Sequence, residues 1–139
     1  RRPPKFTQSR SSAASDVYKR QLIIYAYKYK KQIDFYSVDS MKLCKRLVGD
    51  DITPRIVIGD LENSVVYYNE LIAGKRYFYA RGEGKKKECI IEVFDYSGHS
   101  IAKYTLDIMP NPFDVDEENR IIYGYNSEFF EDGFLKFTF

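Results

Sequence analysis

A chain of 139 residues has the length of a single domain, and its 44% apolar content is that of a folded protein rather than a disordered one. Thirteen tyrosines and ten phenylalanines without a tryptophan favour pleated, half-buried surfaces, and no apolar run approaches the roughly 18 residues that a membrane-spanning helix needs. The net charge of +2 comes from the first 21 residues, which hold six of the 22 basic residues and one of the 20 acidic ones; residues 22–139 carry −3.

Residues 1–21 are rich in Arg, Ser and Pro and show no apolar periodicity. Within them, residues 11–21, SSAASDVYKRQ, resemble the in-frame translation of a transposase sequencing adapter at all eleven positions. The segment is therefore expected to be an artefactual, disordered tail and is set apart from the fold. On that expectation residue 22 is a break within a gene, and a signal peptide or lipid anchor upstream of it cannot be read.

Residues 22–29, LIIYAYKY, alternate late in the run and predict a strand, with Lys30 and Lys31 as a short turn. Residues 32–38, QIDFYSV, predict a second strand, followed by turn chemistry at Asp39 and Ser40. Residues 41–48, MKLCKRLV, predict a third; a helix capped by Ser40 competes there, and the repeat described below favours the strand. Residues 49–64 form a connection with one short strand at 55–58. Residues 65–72 predict a strand closed by Ala73 and Gly74, and residues 76–81, RYFYAR, the next. A loop, GEGKKK, spans 82–87. Strands at 88–96 and 100–108 flank a turn at Ser97 and Gly98. Pro110 and Pro112 bracket a link, since neither can donate to a ladder, and strands at 113–116, 121–125 and 134–139 finish the chain.

The strands repeat. Tyr25, Tyr79 and Tyr123 stand in IIYAY, YFYAR and IIYGY, each after an apolar residue and before Ala or Gly. Downstream, IDFYSV from Ile33, IEVFDY from Ile91 and FLKFTF from Phe134 align without gaps. The three tyrosines are 54 and 44 residues apart, and periods near 40–50 residues with about four strands per unit are those of β-propeller blades, which bury their faces by stacking on neighbours. The expected fold is all-β: an antiparallel β-propeller fragment of two to three blades, with blade pieces at 22–48, 65–108 and 113–139.

The stretch IIEVFDYSGHSIAKYTLD followed by FDVDEENRIIYGY resembles the C-terminal blades of the TolB-like six-bladed β-propellers of exported bacterial proteins. The likeness lies in a hydrophobic strand, an aromatic–Asp pair, a Gly turn and a return strand, then an acidic blade opening that leads into Ile–Tyr–Gly. It extends less clearly back to Leu22. It implies a fold, not a catalytic site. It further implies a periplasmic or envelope-associated location and a non-enzymatic binding or scaffold role toward a protein, peptide or glycan. The alternative is a propeller enzyme, a lyase or hydrolase, whose catalytic residues lie on other blades.

No residue set assigns catalytic, cofactor or metal chemistry. His99 is the sole histidine and follows a turn, where an exposed loop residue is expected. Cys44 and Cys89 lack metal-ligand spacing and are expected to be unpaired strand residues, a disulfide being the alternative. Gly82, Glu83, Gly84 and Lys85 superficially suggest a phosphate loop, but Tyr79 and Lys86 occupy the positions that need Gly and Ser or Thr. Asp114, Asp116 and Glu118 have the spacing that opens a calcium loop, with Asn119 where Gly is required; an acidic turn is expected instead. Lys28, Lys30, Lys31, Lys42, Lys45 and Arg46 interleave with Tyr27, Tyr29 and Tyr36, a pattern compatible with single-stranded nucleic acid, but the negative charge of residues 22–139 argues against that partner. An open arc of blades leaves its terminal faces bare, so self-association is expected. Deleting residues 1–21 should change stability by no more than about 0.5 kcal/mol in a urea titration; a loss of several kcal/mol would make the tail part of the fold.

Overall fold

A computed structural model describes residues 21–49, 64–84, 86–128 and 132–139. The tail at 1–20 and the strand expected at 55–58 lie outside the described residues. Those described are all-β, without a helix. The strands are β1 (Leu22–Ala26), β2 (Gln32–Ser37), β3 (Leu43–Val48), β4 (Glu70–Ala73), β5 (Tyr77–Gly82), β6 (Cys89–Asp95), β7 (Ser100–Leu106), β8 (Phe113–Asp116), β9 (Ile121–Tyr125) and β10 (Phe134–Thr138). They form three antiparallel meanders: a first sheet β1-β2-β3, a central sheet β4-β5-β6-β7 and a third sheet β8-β9-β10. None closes into a barrel. This is the arrangement of consecutive propeller blades.

Turn chemistry separates the strands. Between β6 and β7, Gly98 adopts φ +93°, a conformation open to glycine, while the Asp95 carboxylate accepts the amides of Ser97 (3.0 Å) and His99 (2.8 Å). Between β2 and β3 the Met41 backbone is left-handed, with φ 57°, and its amide donates to Ser37 (2.8 Å). That conformation breaks any helix running from Ser40, so the strand prevails there. Several boundaries differ from expectation. β1 ends at Ala26 because the Tyr27 amide already closes the hairpin on Gln32 (3.0 Å). Residues 65–69 are not strand: the Tyr67 amide donates to Lys28 (2.8 Å), and Val66 accepts the amides of Glu83 and Gly84, which wedges the segment between two sheets. Gly82 belongs to β5 rather than to the loop, and a Cβ there would overlap the Tyr67 carbonyl.

Two cores lie between the sheets. Leu22, Ile24, Ile33 and Phe35 of the first sheet pack with Leu71, Phe78, Ala80 and Phe94 of the central sheet, together with Tyr67 and Tyr68. Tyr79, Ile91 and Val93, on the opposite face of the central sheet, pack with Phe113 and Ile122 of the third, flanked by Phe137 and Phe139. The central sheet is therefore covered on both sides. Alternation along β5 sends Phe78 one way and Tyr79 the other. Alternation along β6 likewise sends Val93 to one core and Phe94 to the other, while β7 accommodates an extra residue, Ile101, as a bulge opposite them.

The repeat holds at the level of strands but not at Tyr25. β2, β6 and β10 align as their sequences suggest, and their partners show the register: Phe35 faces Ile24, Val93 faces Tyr79, and Lys136 faces Tyr123. Ile24, not Tyr25, is thus the equivalent of Tyr79 and Tyr123. A shift of one residue moves a side chain to the other face of its sheet. Tyr25 is accordingly 51% exposed on the outer face of the first sheet, whereas Tyr79 is 1% exposed between sheets. Tyr123 keeps the equivalent register but is 44% exposed, because no described sheet covers that face.

Phe78→Ala should lower stability by about 3–5 kcal/mol, since it empties a site filled by aromatic contacts to Phe35, Phe94 and Tyr96. Gly82→Ala should cost about 1–3 kcal/mol by forcing backbone apart. Urea midpoints at unchanged slope measure both.

Candidate functional site

A cavity of about 590 Å³ opens between the first and central sheets. Ala80 and Gly82 of β5 line its floor: the small Ala80 leaves room above the strand, and Gly82 admits the Tyr67 backbone against it. Tyr67 and Tyr68 wall one side, held there by the backbone bonds of residues 66–69 to Lys28 and to the end of β5. Glu92 projects from β6 toward the first sheet, and its cross-strand partner Lys103 stands beside it on β7. The Tyr68 hydroxyl donates to Glu92 (2.6 Å), and the Lys31 ammonium approaches the same carboxylate (3.9 Å) from the β1–β2 turn. Burial, and then the charge of Glu92, push the Tyr68 phenol well above its ordinary range, so it remains a neutral donor. The Tyr67 hydroxyl is buried and has no hydrogen-bond partner among the described residues. Glu83, Glu88 and Lys86 complete a rim of mixed charge. Such a cleft can orient a polar ligand by hydrogen bonds and opposed charges. Its titratable groups show no nucleophile–base pair among the described residues.

A second polar cluster occupies the outer face of the first sheet. Asp34 on β2 is 0% exposed and accepts a two-point ion pair from Arg46 on β3, 2.8 Å from Nε and 2.9 Å from Nη2. Tyr27 (2.8 Å), Gln32 (3.1 Å) and Tyr36 (3.4 Å) supply further donors. The Arg46 hydrogen bonds, opposed by burial and aided by Tyr27 and Gln32, hold the Asp34 carboxyl down at about 2. The Tyr27 phenol, bonded to that carboxylate, is pushed up to about 12.

Two further anchors tie sheets together. Arg81 of β5, buried, donates to the Pro110 carbonyl and to Asn69 (3.0 Å), and pairs with Glu70 (3.0 Å). Burial works against both charges of that pair, lowering the Arg81 pKa and raising that of Glu70. Glu117, in the turn after β8, accepts the amides of Arg76 (2.9 Å) and Tyr77 (3.0 Å) and the Tyr79 hydroxyl, which joins the third sheet to the β4–β5 hairpin.

The residues singled out in the sequence take separate places. His99 is exposed and contacts Asp95 through Nδ1 (3.0 Å). Cys44 is exposed on β3 and Cys89 buried on β6, each a free thiol; burial raises Cys89 to about 11. In the Gly82–Gly84 stretch the amides of Glu83 (3.1 Å) and Gly84 (2.9 Å) are spent on the Val66 carbonyl, so they form no phosphate cradle; Lys85 lies outside the described residues. Asp116 caps its own turn by accepting the Asn119 amide (3.0 Å) and side chain (2.8 Å). Among the described residues no group of three or more His, Cys, Asp or Glu side chains is gathered to hold a metal. Of the basic and aromatic set, Lys28 and Lys30 lie over Tyr29 and Tyr27, Arg46 is committed to Asp34, and Lys45 to the Ser97 carbonyl (2.7 Å). Asp34 and Glu92 were not singled out, although both are acids in otherwise apolar strands at the same place of the repeat. No family model, curated protein or solved structure matches the chain.

The depressed Asp34 pKa sets a direction for acid titration. The folded state binds the proton less readily than the unfolded chain, whose carboxyl keeps its ordinary 3.8. The stabilisation is therefore complete above that value and is lost as pH falls toward 2. Asp34→Asn should destabilise the neutral-pH protein by about 1.5–3 kcal/mol, the scale of charge-assisted hydrogen bonds, and should flatten its stability profile over that acid window. Urea unfolding of both proteins at a series of pH values checks this.

Proposed function

We propose that the chain is a non-enzymatic binding or scaffold module of the TolB-like propeller type, acting in the bacterial cell envelope on a protein, peptide or glycan. The observation that carries this is the cleft over Ala80 and Gly82, an open cavity with an ordered Tyr68–Glu92–Lys31 set and a rim of both charges. Its volume lies within the range of ligand pockets, about 300–1,000 Å³. Further support comes from the most buried charged groups. Asp34 and Arg81 are taken up by contacts that join strands and sheets, which suits a scaffold more than a reaction centre. The four-stranded meander and its face-to-face stacking agree with the TolB-like resemblance, and the envelope location rests on that resemblance alone.

The test is an array of immobilised peptides and glycans probed with the full chain. Retained ligands should bind less well as salt rises, because the rim charges are exposed and screened. Lys103→Glu should weaken them at least about tenfold, a loss near 1.4 kcal/mol. Retention of nothing, or affinities unmoved by Lys103→Glu, would remove the cleft as the binding site.

A further inference from the structure

The register of the central sheet lays out the floor of the cleft in rows. Ala80, Glu92 and Lys103 lie side by side across β5, β6 and β7, and Gly82, Ile90 and Thr105 form the next row; all six line the cleft. Same-face neighbours along a strand are about 6.6–6.8 Å apart, which is the step from one row to the next. The rows differ in chemistry. In the first, two ammonium groups, Lys31 and Lys103, accompany a single carboxylate, Glu92, which already accepts the Tyr68 hydroxyl (2.6 Å) and faces Lys31 (3.9 Å). Lys103 is exposed and makes no ion pair among the described residues, so this row carries one positive charge in surplus. In the second row Ile90 is half-buried, belongs to neither core and offers an apolar side chain to the cleft.

We infer that the cleft takes an extended peptide whose acidic side chain sits at Lys103 and whose apolar side chain, two residues away, sits on Ile90; this ligand class rests on the reading of the cleft as a binding site. A peptide is the occupant because an extended chain has the same two-residue period as the floor, so its alternate side chains fall on successive rows. Tyr67 and Tyr68 are almost fully buried and leave no open ring face on which a sugar could stack. The peptide carboxylate fits the surplus cation and displaces neither bond of Glu92. Glu83 and Glu88 stand toward the β5–β6 loop, roughly 10–13 Å along the strands from the Glu92–Lys103 row, beyond the screening length of about 8 Å in physiological salt. They therefore do not oppose an acid placed at Lys103.

The full chain is titrated with two end-blocked peptides, Ser-Glu-Ser-Val-Ser and its reverse, Ser-Val-Ser-Glu-Ser, and followed by amide chemical shifts. At least one should bind and move the amides of Ile90 and Lys103. Exchanging its glutamate for glutamine, or setting glutamate and valine side by side, should weaken binding at least about threefold, the scale of an exposed ion pair. Lys103→Gln should abolish the difference between the glutamate and glutamine peptides. Lys103→Glu should reverse the preference, so that the same peptide with lysine for glutamate binds better than the original. Lys103 is exposed, so circular dichroism should not change in either variant. Binding that does not distinguish glutamate from glutamine, or that keeps the distinction in Lys103→Gln, would overturn the inference while leaving the cleft a binding site. So would failure of both peptides where glycans are retained and are weakened by Lys103→Glu. Binding of neither peptides nor glycans would remove the cleft reading and the inference with it.

Discussion

Everything in the structure depends on the central sheet being covered on both faces. Phe78 and Tyr79 are neighbours in sequence, point in opposite directions, and are both almost fully buried. Each large aromatic contributes roughly 1.5–3 kcal/mol when taken from water, so a strand with both faces sheltered gains twice what a one-sided strand gains. No sheet of three or four strands can shelter its own two faces. The first and third sheets exist, in energetic terms, to complete the second.

Apolar contact alone does not say how sheets sit relative to one another, and polar anchors supply that. Arg81 reaches from β5 to the link before β8, and Glu117 reaches back from the turn after β8 to the β4–β5 hairpin. Each uses backbone groups as partners, which ties the position of one sheet to the chain path of another. The buried Arg81–Glu70 pair gains little net energy, since burial opposes both charges, but its directional bonds discriminate against sliding of the sheets. Asp34 plays a related part within the first sheet, where it holds β2 to β3 beside the bulge between Phe35 and Tyr36.

The cleft follows from the same packing. Gly82 lets residues 66–68 approach β5 closely, and that approach lifts Tyr67 and Tyr68 into the wall while leaving open space over Ala80. Glu92 is then flanked by a phenol, an ammonium and the cross-strand Lys103. On the proposed reading, a ligand in this cleft would be held by several weak, directional contacts.

Strand chemistry, the Gly98 turn, the proline-bracketed link and the gapless kinship of β2, β6 and β10 were legible in the sequence, and with them the all-β class and the succession of blade-like meanders. Local rules suffice for these, because turn residues and alternation act over a few positions. Register was not legible. The likeness of IIYAY to YFYAR suggested Tyr25 as the partner of Tyr79, and only the pairing of Ile24 with Phe35 shows the true equivalence. A slip of one residue costs nothing in the sequence pattern yet reverses every face. The sites were less legible still. Asp34, Glu92 and Arg81 read as ordinary charges within strands, and their roles depend on which atoms distant segments bring to them. Strand identity is a local property of this chain, whereas the face a side chain occupies, and hence its chemistry, is decided by the neighbouring sheet.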